Sequence, residues 1–405
     1  MLHIIPSDKF KTASVAFYFS IPLEDKCEIT AYSLLANVLK RGTTTYPITS
    51  RINKRLQDLY GCVLGVGTMK RGDIQVVMFR FEFLSERYAK EGMVRDVLEL
   101  AKDIVFTERE FNSEYVEQEK ANLQELIESQ INDKRSYAQK RLIEIMCEGE
   151  NYAFSEDGYI EELPKLSPKV LELTHKELLK KPLEVFASGD IDGEDIGGLL
   201  ELMIPDVFDM REQVSAVNRH EGIPSNTLHT ERQNITQSKL AMGFSTGITA
   251  ESKDYAALTV YNEVFGGGVS SLLFNNVREK LSLAYYVGTR IDRFKGIMLL
   301  NSGIDNDKFE AAKIEIMAQE ARMRSGDFSE KDFDASKLAL VNSLKSMLDS
   351  QEAMEEFGLR QILSGKPGES VDDVIEGIQR VTIEDVVRLA NGIKLETTYL
   401  LTGQE

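Results

Sequence analysis

The stretch Phe106-Thr107-Glu108-Arg109-Glu110-Phe111 occurs a second time, in altered form, as Phe328-Ser329-Glu330-Lys331-Asp332-Phe333. Both six-residue stretches keep aromatic ends around a hydroxyl, an acid, a base and an acid. Each precedes a long amphipathic run whose spacing predicts a helix. The repeat therefore suggests that the chain contains the same unit twice.

A second pair of stretches repeats at nearly the same separation. Leu166-Ser167-Pro168 and Ala187-Ser188-Gly189 resemble, in order, Val381-Thr382-Ile383 and Leu401-Thr402-Gly403. Two matches in one order predict tandem homologous domains, because the period is that of a whole domain. A stretch with little apolar periodicity separates them. We predict a first domain over 1–210, a linker over 211–234 and a second domain over 235–405.

Apolar alternation and helical spacing predict the fold class. Residues 12–23 alternate as a strand, 61–84 form a hairpin, and long helices cover about 87–104 and 112–147. The second half repeats this plan. Strands that neighbour each other in sequence favour antiparallel pairing, so we predict an α+β fold in which each domain packs helices on a largely antiparallel sheet.

The composition excludes some classes of partner. The 405 residues carry a formal charge of −18 and no basic stripe, which argues against a nucleic-acid partner. No apolar run has the length of a membrane span, so we expect no membrane partner. The cysteines are Cys27, Cys62 and Cys147, widely spaced and odd in number, as expected for free thiols in a reducing compartment. We predict a cytoplasmic protein.

Two motifs in the second half are specific enough to suggest a family. They are Gly266-Gly267-Gly268-Val269-Ser270-Ser271-Leu272-Leu273-Phe274 and Val277-Arg278-Glu279-Lys280-Leu281-Ser282-Leu283-Ala284-Tyr285. They resemble the C-terminal half of the insulinase–pitrilysin family of zinc peptidases and processing-peptidase-like subunits. Landmarks of the first half, such as Arg41-Gly42-Thr43, extend the resemblance to nearly the whole chain. It implies two similar α+β domains that close like a clamshell around a chamber.

Active members of that family carry His-x-x-Glu-His on a helix of the first half. Two histidines at this spacing share a helix face and bind Zn²⁺, while the glutamate activates a water molecule. The resemblance places Ser33 and Asn37 at the histidine positions and Ala36 at the base position. It places Leu126 at the third ligand position. The zinc site therefore appears vacated, and we expect no metal or other cofactor in this chain.

The histidines of the chain offer no replacement for that motif. They are His3, His175, His220 and His229, and no two of them stand at the i, i+4 spacing. We predict that His175 lies on a helix surface and that His220 and His229 lie in a solvated loop of the linker, with opportunistic metal binding as the alternative for these two histidines. No histidine is placed to activate a serine or cysteine nucleophile.

Arg278 and Tyr285 match a donor pair that, in active family members, reaches the substrate backbone at the zinc site. A guanidinium and a phenol can hold a carbonyl and then the oxyanion of a tetrahedral intermediate. The alternative is that Arg278 pairs with a nearby acid and Tyr285 packs at the start of a strand. The resemblance also implies that Gly61 to Thr68 forms an edge strand that accepts peptide by strand addition.

Two functions follow as hypotheses. In the first, the chain is a non-catalytic or half-site subunit of a heterodimeric zinc metallopeptidase. It binds peptide and supplies Arg278 and Tyr285 to the zinc site of a homologous partner. In the second, it is a structural or peptide-binding scaffold with no catalytic role.

Overall fold

The computed structural model describes residues 1–191, 193–208, 214–222 and 226–404. Within these residues the chain forms two five-stranded sheets covered by helices. The predicted α+β fold with two tandem homologous domains is confirmed.

The first sheet has the order β1-β5-β2-β4-β3. The predicted strand and hairpin near the N-terminus are present, and Gly72 supplies the positive φ of 56° that the hairpin turn needs. The pairs are antiparallel except for β1 with β5, which is parallel. The strands are β1 (Leu2–Pro6), β2 (Thr12–Pro22), β3 (Val63–Arg71), β4 (Ile74–Leu84) and β5 (Leu183–Gly189).

The second sheet has the order β6-β10-β7-β9-β8, which is the order of the first sheet strand for strand. Its one parallel pair, β6 with β10, also occupies the same place. The identical topology confirms the duplication that the sequence predicted. The strands are β6 (Thr227–Gln233), β7 (Ser238–Ser245), β8 (Ala284–Asp292), β9 (Ile297–Ile304) and β10 (Lys394–Gly403).

Helices cover the sheets, and short 3-10 or π-helical turns connect several of them. The α-helices are α1 (Lys26–Leu39), α2 (Thr49–Asp58), α3 (Met93–Ala101), α4 (Ser113–Ser129), α5 (Lys134–Met146), α6 (Pro168–Leu178), α7 (Gly193–Met203), α8 (Tyr255–Asn262), α9 (Phe309–Ser325), α10 (Glu330–Met347), α11 (Gln351–Leu363), α12 (Val371–Arg380) and α13 (Ile383–Ala390). The π-helical segments are Lys102–Phe106, Glu263–Gly267 and Phe274–Lys280, and the 3-10 segments are Gln130–Asn132, Asn151–Ala153, Ile160–Lys165 and Pro205–Phe208.

The chain packs as two compact units, each assembled from three separate segments. The division between these units differs from the division between the two repeats, because each unit contains a short segment from the other half. Unit 1 comprises Met1–Ser129, Phe154–Val214 and Gln351–Leu359, and unit 2 comprises Gln130–Ala153, Ser215–Ser350 and Arg360–Glu405.

The segment Gln351–Leu359 is fixed to the first sheet by buried polar contacts. Arg80 on β4 donates from Nε to Glu355 at 2.8 Å, and the Ser188 hydroxyl donates to the same carboxylate at 2.6 Å. Gln351 donates to the carbonyls of Thr12 and Ser188 at 3.0 and 3.2 Å. A buried carboxylate needs such partners, so these contacts define where the segment lies.

The segment Gln130–Ala153 covers the second sheet in a different way. Helix α5 places Ala138 and Leu142 against Tyr399 and other buried apolar residues of the sheet. The sequence predicted one helix over 112–147, but it is broken. Asp133 accepts from the backbone N–H groups of Arg135 and Ser136, at 3.1 and 3.2 Å, and thereby caps a new helix.

The segment predicted to be a linker contains strand β6. Thr227–Gln233 pairs in parallel with β10, from Thr397 to Gly403. Its residues are exposed or only partly buried on both faces, so the sequence shows no apolar alternation there. An edge strand of this kind gives no periodic signal.

Across the described part of the chain, no helix is both long enough and apolar enough to cross a bilayer.

Candidate functional site

Helix α1 carries Ser33, Ala36 and Asn37, which the sequence analysis predicted to stand at the positions of the zinc motif. Ser33 has 2% of its surface exposed, and its hydroxyl donates to the Glu156 carbonyl at 2.8 Å. The same hydroxyl accepts from Gln75 Nε2 at 2.9 Å. Ala36, 1% exposed, belongs to the hydrophobic core of unit 1. Both side chains are therefore used in packing the helix against its surroundings.

Asn37, one turn beyond Ser33, has its amide engaged within the helix. Its Nδ2 donates to the Ser33 carbonyl at 3.1 Å, and its Oδ1 accepts from Lys40 Nζ at 2.8 Å. Leu126 on α4, at the position of the third ligand, is half exposed and has no donor atom for a metal. A hydroxyl, an amide and an aliphatic side chain do not suit Zn²⁺, so these positions do not fit a catalytic zinc ion.

An ion pair next to these positions neutralises a buried acid. Glu119 Oε1 on α4 is 3.2 Å from Nη1 of Arg41, which lies two residues after the end of α1. Arg41 also stacks over Tyr115, with 5.0 Å from its guanidinium carbon to the ring centre. The Glu119 carboxylate is therefore committed to a cation of the protein itself.

Arg278 and Tyr285 are brought together in unit 2. Both line a surface cleft of about 440 Å³ between the π-helical segment Phe274–Lys280 and the start of β8. Ser282, with a positive φ of 48°, turns the chain between them. The remaining lining residues are Glu279, Ser282, Leu283, Ala284, Asp305 and Lys308.

Both cleft residues have local partners. The Arg278 guanidinium lies over the Phe274 ring, 4.8 Å from its centre, and its Nε is 3.5 Å from Glu279. The Tyr285 side chain is well exposed, and its hydroxyl donates to Asp305 at 2.7 Å. This hydrogen bond raises the pKa of Tyr285, so the phenol stays protonated and able to donate.

A β-bulge explains why Tyr285, and not Tyr286, faces the cleft. The pairing of β8 with β9 shifts register between Ala284 and Tyr286, so Tyr285 is the extra residue. Tyr286 packs inward beneath Arg135, and the distance from the guanidinium carbon of Arg135 to the centre of the Tyr286 ring is 4.6 Å. Burial raises its pKa to about 12.

The predictions for His175 and His220 were wrong. His175 is buried on α6, and its Nε2–H donates to the Val105 carbonyl at 2.7 Å. The His220 side chain is 1% exposed and lies between two glutamates. Its Nδ1 contacts the Glu150 carboxylate, and its Nε2 lies 3.0 Å from the Glu396 carboxylate. Burial alone would lower the pKa of His220, but hydrogen bonds with Cys147 and Glu396 raise it to about 10.

Sequence reasoning missed the group of residues around His220. Its members come from four separate parts of the chain, so no local spacing reveals them. The group comprises Cys147, Glu150, His220, Lys295 and Glu396, and is called the Cys147 cluster below.

Comparison with known proteins identifies the family. The sequence pattern described as "Peptidase M16 inactive domain" matches residues 167–340. The chain is 34% identical to "Probable inactive metalloprotease YmfF" of Bacillus subtilis (strain 168), over 100% of this chain and 96% of that protein. The chain belongs to the M16 peptidase family. The resemblance to insulinase–pitrilysin peptidases seen in the sequence is thus confirmed.

Other M16-type relatives and one solved structure agree with this assignment. A conserved protein from Enterococcus faecalis V583 has the same fold, with a TM-score of 0.91 and 27% identity over 100% of this chain and 96% of that one. "Uncharacterized zinc protease YmxG" of Bacillus subtilis is 27% identical over 49% of this chain and 50% of that protein.

Proposed function

We propose that the chain is the non-catalytic subunit of a heterodimeric zinc metallopeptidase in the cytoplasm. It binds peptide and supplies Arg278 and Tyr285 to the zinc site of a homologous partner. Zinc belongs to the partner, and this chain contributes hydrogen-bond donors to the substrate carbonyl and to the oxyanion that forms from it.

The observation that carries this proposal is the contrast between two groups of residues, one in each compact unit. Arg278 and Tyr285 share an open cleft, where a guanidinium and a protonated phenol are accessible to a ligand. In contrast, Ser33 and Ala36 are packed into unit 1 and offer no metal ligand. Such a chain can assist hydrolysis through Arg278 and Tyr285, while the motif positions on α1 supply no metal-bound water.

Strand β3 supports a role in holding peptide. It lies at the edge of the first sheet, and its residues are partly or fully exposed. Nothing within 4 Å would meet a side chain at Gly67, so a second backbone can approach this edge closely. Main-chain hydrogen bonds along such an edge bind peptides with little regard to sequence.

The relatives support a division of labour between two chains. In Bacillus subtilis, one relative is named a probable inactive metalloprotease and another a zinc protease. This chain is similar to both, over its full length to the first and over about half to the second. A bacterium that has one protein of each kind could pair them as catalytic and non-catalytic subunits.

The test mixes this chain with a homologue from the same genome that carries His-x-x-Glu-His, and measures kcat/KM on a quenched fluorescent unfolded peptide. We expect activity well above that of either chain alone. Arg278→Ala and Tyr285→Phe in this chain should each lower kcat of the mixture by about 100-fold, as for other oxyanion donors.

Lys280→Ala is the matched control, because Lys280 is an exposed cation on the same π-helical segment outside the cleft lining. It should leave kcat unchanged. The proposal fails if mixing adds no activity, or if the Arg278 and Tyr285 variants behave like the control.

The local partners of the cleft residues favour the alternative, a peptide-binding scaffold without a catalytic role. Arg278 lies over Phe274, and Tyr285 donates to Asp305, as residues with a purely structural function would. In that case, Arg278→Ala and Tyr285→Phe would lower the free energy of unfolding and leave the kcat of any mixture unchanged.

A further inference from the structure

Three potential metal ligands converge inside unit 2, away from the vacated motif on α1. One ligand atom from each of Cys147, Glu150 and His220 lies within 4.8 Å of the other two. A thiol, a carboxylate and an imidazole form a mixed donor set that Zn²⁺ accepts readily. Three irregularities of the backbone bring these side chains together.

The first irregularity is the tight turn that ends α5. The Cys147 N–H donates to the Ile143 carbonyl at 2.9 Å, and the Glu150 N–H donates to the Cys147 carbonyl at 3.0 Å. Gly149 takes a positive φ of 85° inside this turn. The turn thereby presents Cys147 and Glu150 on the same side.

The second irregularity is the close approach of the chain around His220. The backbone N–H groups of Asn218 and His220 donate to the Phe294 and Lys295 carbonyls, at 3.2 and 2.9 Å. A side chain at Gly222 would collide with the His220 imidazole and the Glu396 carboxylate, so only glycine fits there. The imidazole is therefore held in a single position.

The third irregularity is a β-bulge in β10. The pairing of β10 with β7 shifts register between Leu395 and Thr397, which makes Glu396 the extra residue. Bulges of this kind redirect a side chain. Both carboxylate oxygens of Glu396 lie 3.0 Å from His220 Nε2. Glu396 therefore fixes the orientation of the imidazole ring, in which Nδ1 points to Glu150. A carboxylate behind a histidine is the usual arrangement at zinc sites.

Lys295 orients the Glu150 carboxylate within the Cys147 cluster. Its ammonium group is fully buried and lies 2.8 Å from Glu150 Oε2, so Glu150 Oε1 points to His220. A divalent cation that binds here would displace the protons of the thiol and of the imidazole, so its binding should weaken as the pH falls.

We propose that the Cys147 cluster binds a structural zinc ion through Cys147 Sγ, Glu150 Oε1 and His220 Nδ1, with Glu396 orienting the histidine. Glu150 is 25% exposed and gives the ion access from solvent. The ion links the turn after α5, the segment before β6, and strand β10. This proposal departs from the sequence-based expectation of a metal-free chain.

The test uses untagged full-length protein, freed of metal by a chelator and then titrated with Co²⁺ and Zn²⁺. We expect one Co²⁺ per chain with a thiolate-to-cobalt charge-transfer band, and displacement of Co²⁺ by one equivalent of Zn²⁺. Cys147→Ser and His220→Gln should weaken zinc binding by about 100-fold or more, and Glu396→Gln by about 10-fold to 100-fold.

Cys62→Ser is the matched control, because Cys62 is also a buried free cysteine but lies in unit 1. It should bind zinc like the unaltered chain. The cobalt spectrum needs no variant, so it decides the question even if Cys147→Ser fails to fold. Absence of the charge-transfer band at one equivalent, or equal zinc affinity in folded Cys147→Ser, overturns the proposal.

Discussion

At the scale of a single residue, Ala36 places a methyl group in the hydrophobic core of unit 1, at the position that the sequence analysis predicted for the catalytic base. Ser33 has likewise become part of a hydrogen-bonded contact with Gln75 and the Glu156 carbonyl. The zinc-motif positions of this chain therefore serve packing. Restoring the motif residue by residue would disturb the core of unit 1.

Ala36→Glu should lower the free energy of unfolding by about 3 kcal/mol or more, because it buries a carboxyl group among apolar residues with no partner. Urea denaturation followed by far-UV circular dichroism measures this. Ala36→Ser adds a small neutral group at the same place and should have a much smaller effect. Equal stability of Ala36→Glu and the unaltered chain would contradict the burial of this position.

His175 predicts a dependence of stability on pH. Burial lowers its pKa to about 4, and the charge of Arg109 adds to this, while the Val105 carbonyl and Glu108 act in the opposite direction. The unfolded chain binds a proton at this histidine near pH 6.5, but the folded chain does so only near pH 4. The free energy of unfolding should therefore decrease as the pH is lowered from about 6.5 to about 4, by up to about 3 kcal/mol.

The measurement compares urea midpoints between about pH 7 and pH 4 for the unaltered chain and for His175→Gln. Glutamine can still donate to the Val105 carbonyl but does not titrate. The variant should lose less stability on acidification. Identical pH slopes would show that His175 does not contribute.

At the scale of elements, the sequence predicted those whose apolar pattern is local. Strand β2 and the β3–β4 hairpin were recognisable because their side chains alternate between a core face and a second face. Strand β6 was not, because both its faces are polar. The burial of His220 had no local signal either, since Glu150 and Glu396, which surround it, are distant in sequence.

The two pairs of repeated stretches also differ in how well their alignment agrees with the structure. Ser167 and Thr382 cap α6 and α13 in the same way, so that pair is in register. In the first pair, however, Phe111 and Phe328 each lie just before their helices, α4 and α10. The six-residue match is therefore out of register in the structure, and the duplication rests on the second pair of stretches and on the identical sheet topology.

Gly358 allows helix α11 to lie close against the first sheet. A Cβ there would be 2.7 Å from the Phe186 ring, so Gly358→Ala should lower the free energy of unfolding by about 1–3 kcal/mol. Gly377→Ala on α12 is the control, since its Cβ would meet only Ala256, at 3.7 Å. It should raise stability by about 0.5–1 kcal/mol. Thermal unfolding of both variants checks the pair, and a neutral Gly358→Ala would contradict the close contact.

At the scale of the whole molecule, the two compact units each need a segment from the other half of the chain. Unit 1 includes Gln351–Leu359, with the buried Glu355 that pairs with Arg80. Unit 2 includes Gln130–Ala153, with helix α5 and two of the three ligands of the proposed zinc site, Cys147 and Glu150. A cut between the repeats would therefore divide both cores.

Fragments 1–214 and 215–405 test this organisation. Each alone leaves one sheet without its covering helix, so each should aggregate or be digested rapidly in limited proteolysis. Co-expressed, they should form a protease-resistant complex that elutes together in gel filtration. A compact, resistant fragment 1–214 on its own would show that the segment Gln351–Leu359 is dispensable.

The segment Gln351–Leu359 follows the last strand of the first sheet at a long distance in sequence, which has a consequence during protein synthesis. Domains generally fold as units while the ribosome is still adding residues. Here all strands of the first sheet are made well before the helix that shields Phe186 and neutralises Arg80. The nascent protein therefore exposes that apolar surface while the residues in between are translated, and ribosome-associated chaperones should bind it during that time.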